Sequence, residues 1–95
     1  VMIASVALGA IGDSYAELGE NDKAVDYYIK AGERRENEFT TPLYLKKAAI
    51  IYESSQKYDK ALQLYESIKE KYPETEIGRE MDKYIASVRV RMEVK

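Results

Sequence analysis

Cysteine, histidine and tryptophan are all absent from this chain, and its 95 residues hold two prolines and one phenylalanine. Without cysteine there is no disulfide and no thiolate nucleophile or ligand, and the redox compartment stays undetermined. Without histidine the usual general base near neutral pH and the commonest metal ligand are missing. The hydroxyls of Ser5, Ser14, Ser54, Ser55, Ser67 and Ser87 therefore have no imidazole to activate them. The five glycines form no phosphate-cradling loop: Gly9 and Gly12 fall inside a helical pattern and Gly19 ends one. Long apolar runs are scarce too. Val1 to Gly12 is apolar but shorter than the ~20 residues that cross a bilayer, and it has neither the basic leader nor the cleavage context of a signal peptide. Direct membrane insertion by this segment is not expected.

Charge of one sign is also lacking. The formal net charge is −2, with 34% of residues charged and 45% hydrophobic. Nucleic acid calls for a clustered cationic face, and the pairs Lys46-Lys47 and Arg89/Arg91 are too few for one. The acidic excess lies in residues 1–41, which hold four Lys or Arg against eight Asp or Glu. Carboxylates pair at helical spacing in Asp13/Glu17 and Glu66/Glu70, and the plain reading of both is solvated surface. General acid–base work needs burial to shift a pKa, and nothing in the flanking sequence closes a cleft. Glu76/Glu80 lacks further ligands and would hold a metal weakly. No catalytic residue, metal or cofactor is expected, and the chain does not read as an enzyme.

What the chain does have is repetition. Asp22-Lys23-Ala24 recurs as Asp59-Lys60-Ala61, Tyr15 as Tyr52, Tyr28 as Tyr65 and Leu8 as Leu45, all at an offset of 37 residues. Each copy reads as helix, turn, helix. Ala4, Leu8, Ile11, Tyr15 and Leu18 make one helical stripe that Gly19 ends. Asp22 reads as the cap of a second helix, with Ala24, Tyr27, Tyr28 and Ala31 inward. Thr41-Pro42 reads as a hydroxyl cap and a first-turn proline. Leu45, Ala48, Ala49 and Tyr52 mark a third helix. A fourth starts near Asp59 and carries Ala61, Leu62, Tyr65 and Ile68, and Pro73 stops it. Thr75 then caps a fifth helix that buries Ile77, Met81, Tyr84, Ile85, Val88 and Met92. Such units bury their apolar faces by stacking on one another.

The spacing resembles the tetratricopeptide repeat, whose pattern of about 34 residues runs W-x2-L-G-x2-Y, then A-x3-F, then A and P. Those slots fall on Leu8, Ile11, Gly12, Tyr15, Ala24, Tyr28 and Ala31 in the first copy. In the second they fall on Leu45, Ala48, Ala49, Tyr52, Ala61, Tyr65, Ile68 and Pro73. The departures are the missing Trp, Glu36 in the proline slot, Ile68 in a small-residue slot, and three extra residues around Asn37–Thr41. The resemblance implies an all-α fold of antiparallel hairpins stacked as a superhelix. Repeats over about 5–38 and 42–75 and a capping helix over about 76–93 would form a single domain. Tyr15, Tyr28, Tyr52 and Tyr65 would fill space between units, with Gly12 and Ala49 opposite Ala24 and Ala61. Tyr44, Tyr58, Tyr72 and Tyr84 are less constrained.

In this family the first helix of each unit lines the concave face. The groove slots then fall on Val6, Gly9, Asp13, Ala16 and Glu17, on Leu43, Lys46, Ile50 and Glu53, and on Glu80 and Tyr84. Such a groove, mixed apolar and acidic, suits a peptide or protein segment with leucine-type anchors and some Lys or Arg. The Lys and Asn slots by which chaperone-binding members read a C-terminal carboxylate hold Gly9, Asp13 and Ile50 beside Lys46, which argues against that mode. The expected function is a non-catalytic protein-interaction scaffold. The alternative is a structural end of a longer solenoid whose binding repeats lie upstream. Residues Tyr58 to Ile85 also resemble the C-terminal end of bacterial tetratricopeptide-repeat proteins, many of them membrane-anchored, which implies an envelope location for the full-length protein. Finally, Val1, Met2, Ile3, Val6, Ala7, Leu8, Ala10 and Ile11 place apolar groups nearly all round the first turns, with no charge before Asp13. This predicts an open face, an upstream repeat in the natural protein, and self-association of the isolated chain.

Overall fold

Five helices follow one another: α1 (Met2–Glu17), α2 (Asn21–Arg34), α3 (Thr41–Ser54), α4 (Tyr58–Lys71) and α5 (Glu76–Glu93). The computed structural model describes residues 2–94, with side chains from Ala4 onward, and contains no strand among them. The side chains of Val1, Met2 and Ile3, which the sequence adds to the apolar surface of α1, lie outside the described residues.

The same turn closes the first helix of each hairpin. After α1, Gly19 N–H donates to the Ala16 carbonyl (3.1 Å) and Glu20 N–H to the Tyr15 carbonyl (2.9 Å). After α3, Gln56 N–H reaches the Glu53 carbonyl (3.0 Å) and Lys57 N–H the Tyr52 carbonyl (2.8 Å). These paired bonds satisfy the orphan carbonyls of a helix end, and they require a left-handed residue between them. Gly19 supplies it at φ 78°, and Gln56, its equivalent 37 residues on, takes φ 64° with a side chain.

Two helix starts differ from the sequence reading. Asp22 is not the cap of α2: Asn21 is already helical and no side chain caps the end. Asp22 sits in the first turn, where its carboxylate still meets the helix dipole, and Oδ1 accepts from Lys57 Nζ at 3.3 Å. Nor does Thr41 cap α3. It is the first helical residue, behind Thr40, because Thr40 already has helical angles. The Thr41 hydroxyl instead turns inward, donating to the Gly32 carbonyl (2.8 Å) and accepting from Asn37 N–H (2.9 Å). Thr75 does cap α5, its hydroxyl accepting from Gly78 N–H at 3.0 Å. Gly78 is needed there for another reason: a Cβ would lie 1.8 Å from the Tyr72 carbonyl oxygen, so α5 leaves the end of α4 at a distance only glycine permits.

The helices form two layers. Tyr44 covers Gly9 and Lys47 bonds Asp13, tying α3 to α1, while Lys46 bonds Glu80, tying α3 to α5. The α2 and α4 helices make the other layer, giving a slab 40 × 33 × 15 Å. One core joins Ala24, Val25, Tyr28 and Ala31 of α2 to Tyr44 and Ala48 of α3. The other joins Leu45 and Ala49 to Ala61, Tyr65 and Ile68 of α4 and to Met81, Ile85 and Val88 of α5. Val25 and Gly32 belong to the buried face of α2, whereas Tyr27 is only half-buried. Gly12 lies against the Tyr28 ring, where a Cβ would come within 2.8 Å of it. Tyr44, which the sequence leaves unconstrained, is buried, and Ile77, Tyr84 and Met92 are half-buried at the rim.

Candidate interaction surface

The layer of α1, α3 and α5 carries every groove position inferred from the sequence, and their environments differ sharply. Val6 (55% exposed), Leu43 (38%) and Ile50 (43%) present bare aliphatic side chains to solvent. Glu17 is exposed and Ala16 half-buried. Gly9 offers no surface, because the Tyr44 ring of the next unit occupies the space where its Cβ would stand.

The charged positions other than Glu17 are engaged within the chain. Asp13 accepts a short hydrogen bond from the Tyr28 hydroxyl and, on the same oxygen, a second from Lys47 Nζ at 3.0 Å. The Tyr28 bond, with Lys47 adding to it, holds the Asp13 carboxyl below the usual carboxylate range. Tyr28 is pushed the other way, above the ordinary phenol value, by burial and then by the neighbouring carboxylate. In the second unit Tyr65 donates to Glu53 Oε1 at 2.8 Å, and Arg91 Nη1 lies 3.5 Å from Glu53 Oε2. Burial and that bond likewise raise Tyr65. Lys46 Nζ bonds Glu80 Oε1 at 3.0 Å and stands 5.0 Å from the Tyr84 ring centroid. Burial alone would lower its pKa, but Glu80 and Tyr84 outweigh that and hold the ammonium above its usual value. Glu80 is lowered by the same contact.

Apart from Glu17, the acidic part of the mixed groove inferred from the sequence is therefore largely neutralised by the protein's own groups. Lys47 and Arg91, absent from the inferred groove set, do much of this, and Tyr44 fills the slot left by Gly9. A signal for Tyr44 was present in the sequence: a ring one unit along from a glycine is the complementary fit that close packing demands.

Between α3 and α5 an open hollow of about 440 Å³ is lined by Ile50, Glu53, Ser54, Lys83, Tyr84, Ser87 and Arg91. Tyr84 closes one wall, its ring 5.2 Å from that of Tyr65. Such a surface can bury an apolar side chain and hydrogen-bond a backbone. Among the described residues no group of three or more carboxylates is placed to hold a metal ion, and no helix is long and apolar enough to cross a membrane.

Two family models of the tetratricopeptide repeat match the chain, one over residues 7–38 and the other over residues 44–75. No curated protein and no solved structure matches it. Repeats of this kind generally mediate protein–protein interaction and are typically non-catalytic modules. With two matches in tandem over helix–turn–helix units of the same build, the chain belongs to the tetratricopeptide repeat family.

Proposed function

We propose that this chain is a non-catalytic scaffold that holds a protein or peptide segment against the α1–α3–α5 layer. The observation that carries the reading is the row of exposed Val6, Leu43 and Ile50 on the first helices of the two units, beside the hollow at Tyr84. Exposed aliphatic groups on one layer cost stability in water and gain it when a partner covers them. With Asp13, Glu53 and Lys46 already paired, selectivity rests on leucine-type anchors, and Glu17 offers a carboxylate to a partner's Lys or Arg. A phage-displayed peptide selection against the 95-residue chain, followed by amide-shift mapping, tests this. Selected peptides should shift Leu43, Ile50 and Tyr84, and Ile50→Ser should weaken them; shifts confined to α2 and α4 would refute the groove.

A second reading is that this segment is the structural C-terminal end of a longer, membrane-anchored bacterial solenoid with its binding repeats upstream, and the open face of α1 favours the presence of a neighbouring unit. Tyr44, Ala48 and Ile51 of α3 pack on the first hairpin, yet their equivalents Ala7, Ile11 and Ser14 are exposed, Ile11 at 40%. Leu18, one turn on, is 72% exposed. Such a face suits another hairpin or a second copy. Sedimentation across a concentration series should show association that Ile11→Glu removes. A monomer at high concentration would leave the first reading alone.

A further inference from the structure

The stretch between α2 and α3 is longer than the repeat requires, and it is built to hold one ring in water. Asn37 organises it: its Oδ1 accepts from Phe39 N–H and Thr40 N–H, both at 2.8 Å, and its Nδ2 donates to the Arg35 carbonyl at 2.7 Å. Asn37 N–H bonds the Thr41 hydroxyl, which is itself anchored on the Gly32 carbonyl at the buried end of α2. The result is a fixed loop whose tip is Phe39, the chain's single phenylalanine, 75% exposed. A loop backbone held in one conformation has already lost part of the freedom that binding would otherwise remove.

Beside it lies a hollow of about 360 Å³, lined by Glu38, Phe39, Glu74, Thr75, Glu76 and Ile77. It sits where the α2–α3 connection meets the start of α5, and it shares no residue with the α1–α3–α5 layer positions described above. Its apolar parts are the Phe39 ring and the half-buried Ile77. Among the described residues, Glu38, Glu74 and Glu76 enter no salt bridge. Arg79 turns its guanidinium to the Glu74 main-chain carbonyl at 2.7 Å.

We infer that this edge is a second docking surface, which receives a basic protein segment whose apolar side chains cover Phe39 and Ile77 while its Lys or Arg groups meet Glu38, Glu74 and Glu76. The charge decides the class of occupant. Three unpaired carboxylates around an apolar ring repel phosphate, which excludes nucleic acid and anionic lipid surfaces, and attract cations that can also stack on the ring. Aromatic anchors inside a charged rim are the side chains that dominate interface energies.

The test uses the 95-residue chain and a short fluorescent peptide of alternating Arg and Leu, with a Glu–Leu peptide as control. The Arg–Leu peptide should bind, weaken with added salt, and shift the amides of Glu38, Phe39, Thr75 and Ile77. Phe39→Ala, at an exposed site, should leave the melting temperature unchanged and weaken binding about tenfold or more. The triple change Glu38→Gln, Glu74→Gln, Glu76→Gln should weaken it and flatten the salt dependence. Ile50→Ser should leave the shifts at Glu38, Phe39, Thr75 and Ile77 unaltered, which separates this surface from the α1–α3–α5 layer. Unchanged shifts at those residues in Phe39→Ala, equal binding of the Glu–Leu peptide, or loss of those shifts with Ile50→Ser would each overturn the inference. So would concentration-dependent association abolished by Phe39→Ala, since the occupant would then be a second copy of the chain.

Discussion

The two hairpins are copies in sequence but not in circumstance. The α3–α4 hairpin is packed on both sides, by α2 and by α5, and its Tyr65, Ile68 and Ala61 are wholly buried. The α1–α2 hairpin is covered on one side, and the outward face of α1 leaves Ile11 and Leu18 in water. The equivalent tyrosines each bond a carboxylate on the first helix of their own unit, Tyr28 to Asp13 and Tyr65 to Glu53, from carboxylate positions that do not correspond and inside different amounts of neighbouring protein. In a stacked array the stability of a unit therefore comes as much from its neighbours as from its own residues.

The largest expected effect follows from that difference. Tyr65→Ala should destabilise by about 3–5 kcal/mol, the range for emptying a fully packed aromatic site, and Tyr28→Ala by clearly less. Urea unfolding of both variants measures this, and equal losses would break the comparison. Next in size, Ala61→Leu should cost roughly 1–3 kcal/mol by overpacking the contact of α4 with α3. Ala24→Leu in α2 should cost less, because α1 can give way on its open side. If neither substitution moves the melting temperature, the hairpin register is wrong.

Removing only the hydroxyls sharpens the comparison further. Tyr65→Phe should cost about 1–2 kcal/mol and Tyr28→Phe about 0.5–1 kcal/mol. The ordering arises because the Glu53 side chain is only 13% exposed, whereas that of Asp13 is 50% exposed and keeps Lys47 and water. Both phenols titrate above their ordinary value of 10.0 in the folded chain. A raised folded pKa stabilises fully below the unfolded value and ceases to do so as pH rises through the folded one. Stability should therefore fall above pH 10, and less steeply in the double Phe variant. Asp13, lowered from 3.8, has the opposite sense: its contribution is complete above that value and fades as pH drops below it. Thermal melts across pH 3–11 check both limbs.

The smallest effect concerns the turns. Gln56 adopts the left-handed conformation that Gly19 adopts freely, at a steric cost to any residue with a Cβ. Gln56→Gly should stabilise by about 0.5–1 kcal/mol, while Gly19→Gln should destabilise by a similar amount. A differential melt of the pair measures it.

The helices and their stacking were legible because small and aromatic residues recur at fixed spacing, and a period of this kind has few structural solutions. Thr75 and Pro73 were legible for the same reason, since capping and chain-breaking are local. Asp22 and Thr41 were misplaced because their oxygens have competitors that lie far along the chain or deep in the core. Asp22 meets Lys57 and Thr41 meets Gly32, neither of which a local rule sees. The charged groove positions were hidden in the same way. Asp13, Lys46 and Glu53 stand on the layer inferred for them, but their partners come from other helices, and only three-dimensional proximity reveals how little charge is left over.

Helices adjacent in the chain make most of the contacts in this molecule, with narrower ones between α1 and α3 and between α3 and α5. Pulled from its two ends, a body joined in that way has no single clasp whose failure releases everything. It should yield as a series of hairpins, the half-covered α1–α2 unit peeling first at low force and the doubly covered α3–α4 unit holding longest. When the load is removed, the standing helices offer the template on which the loosened ones re-form. A protein so built behaves under strain as a graded spring.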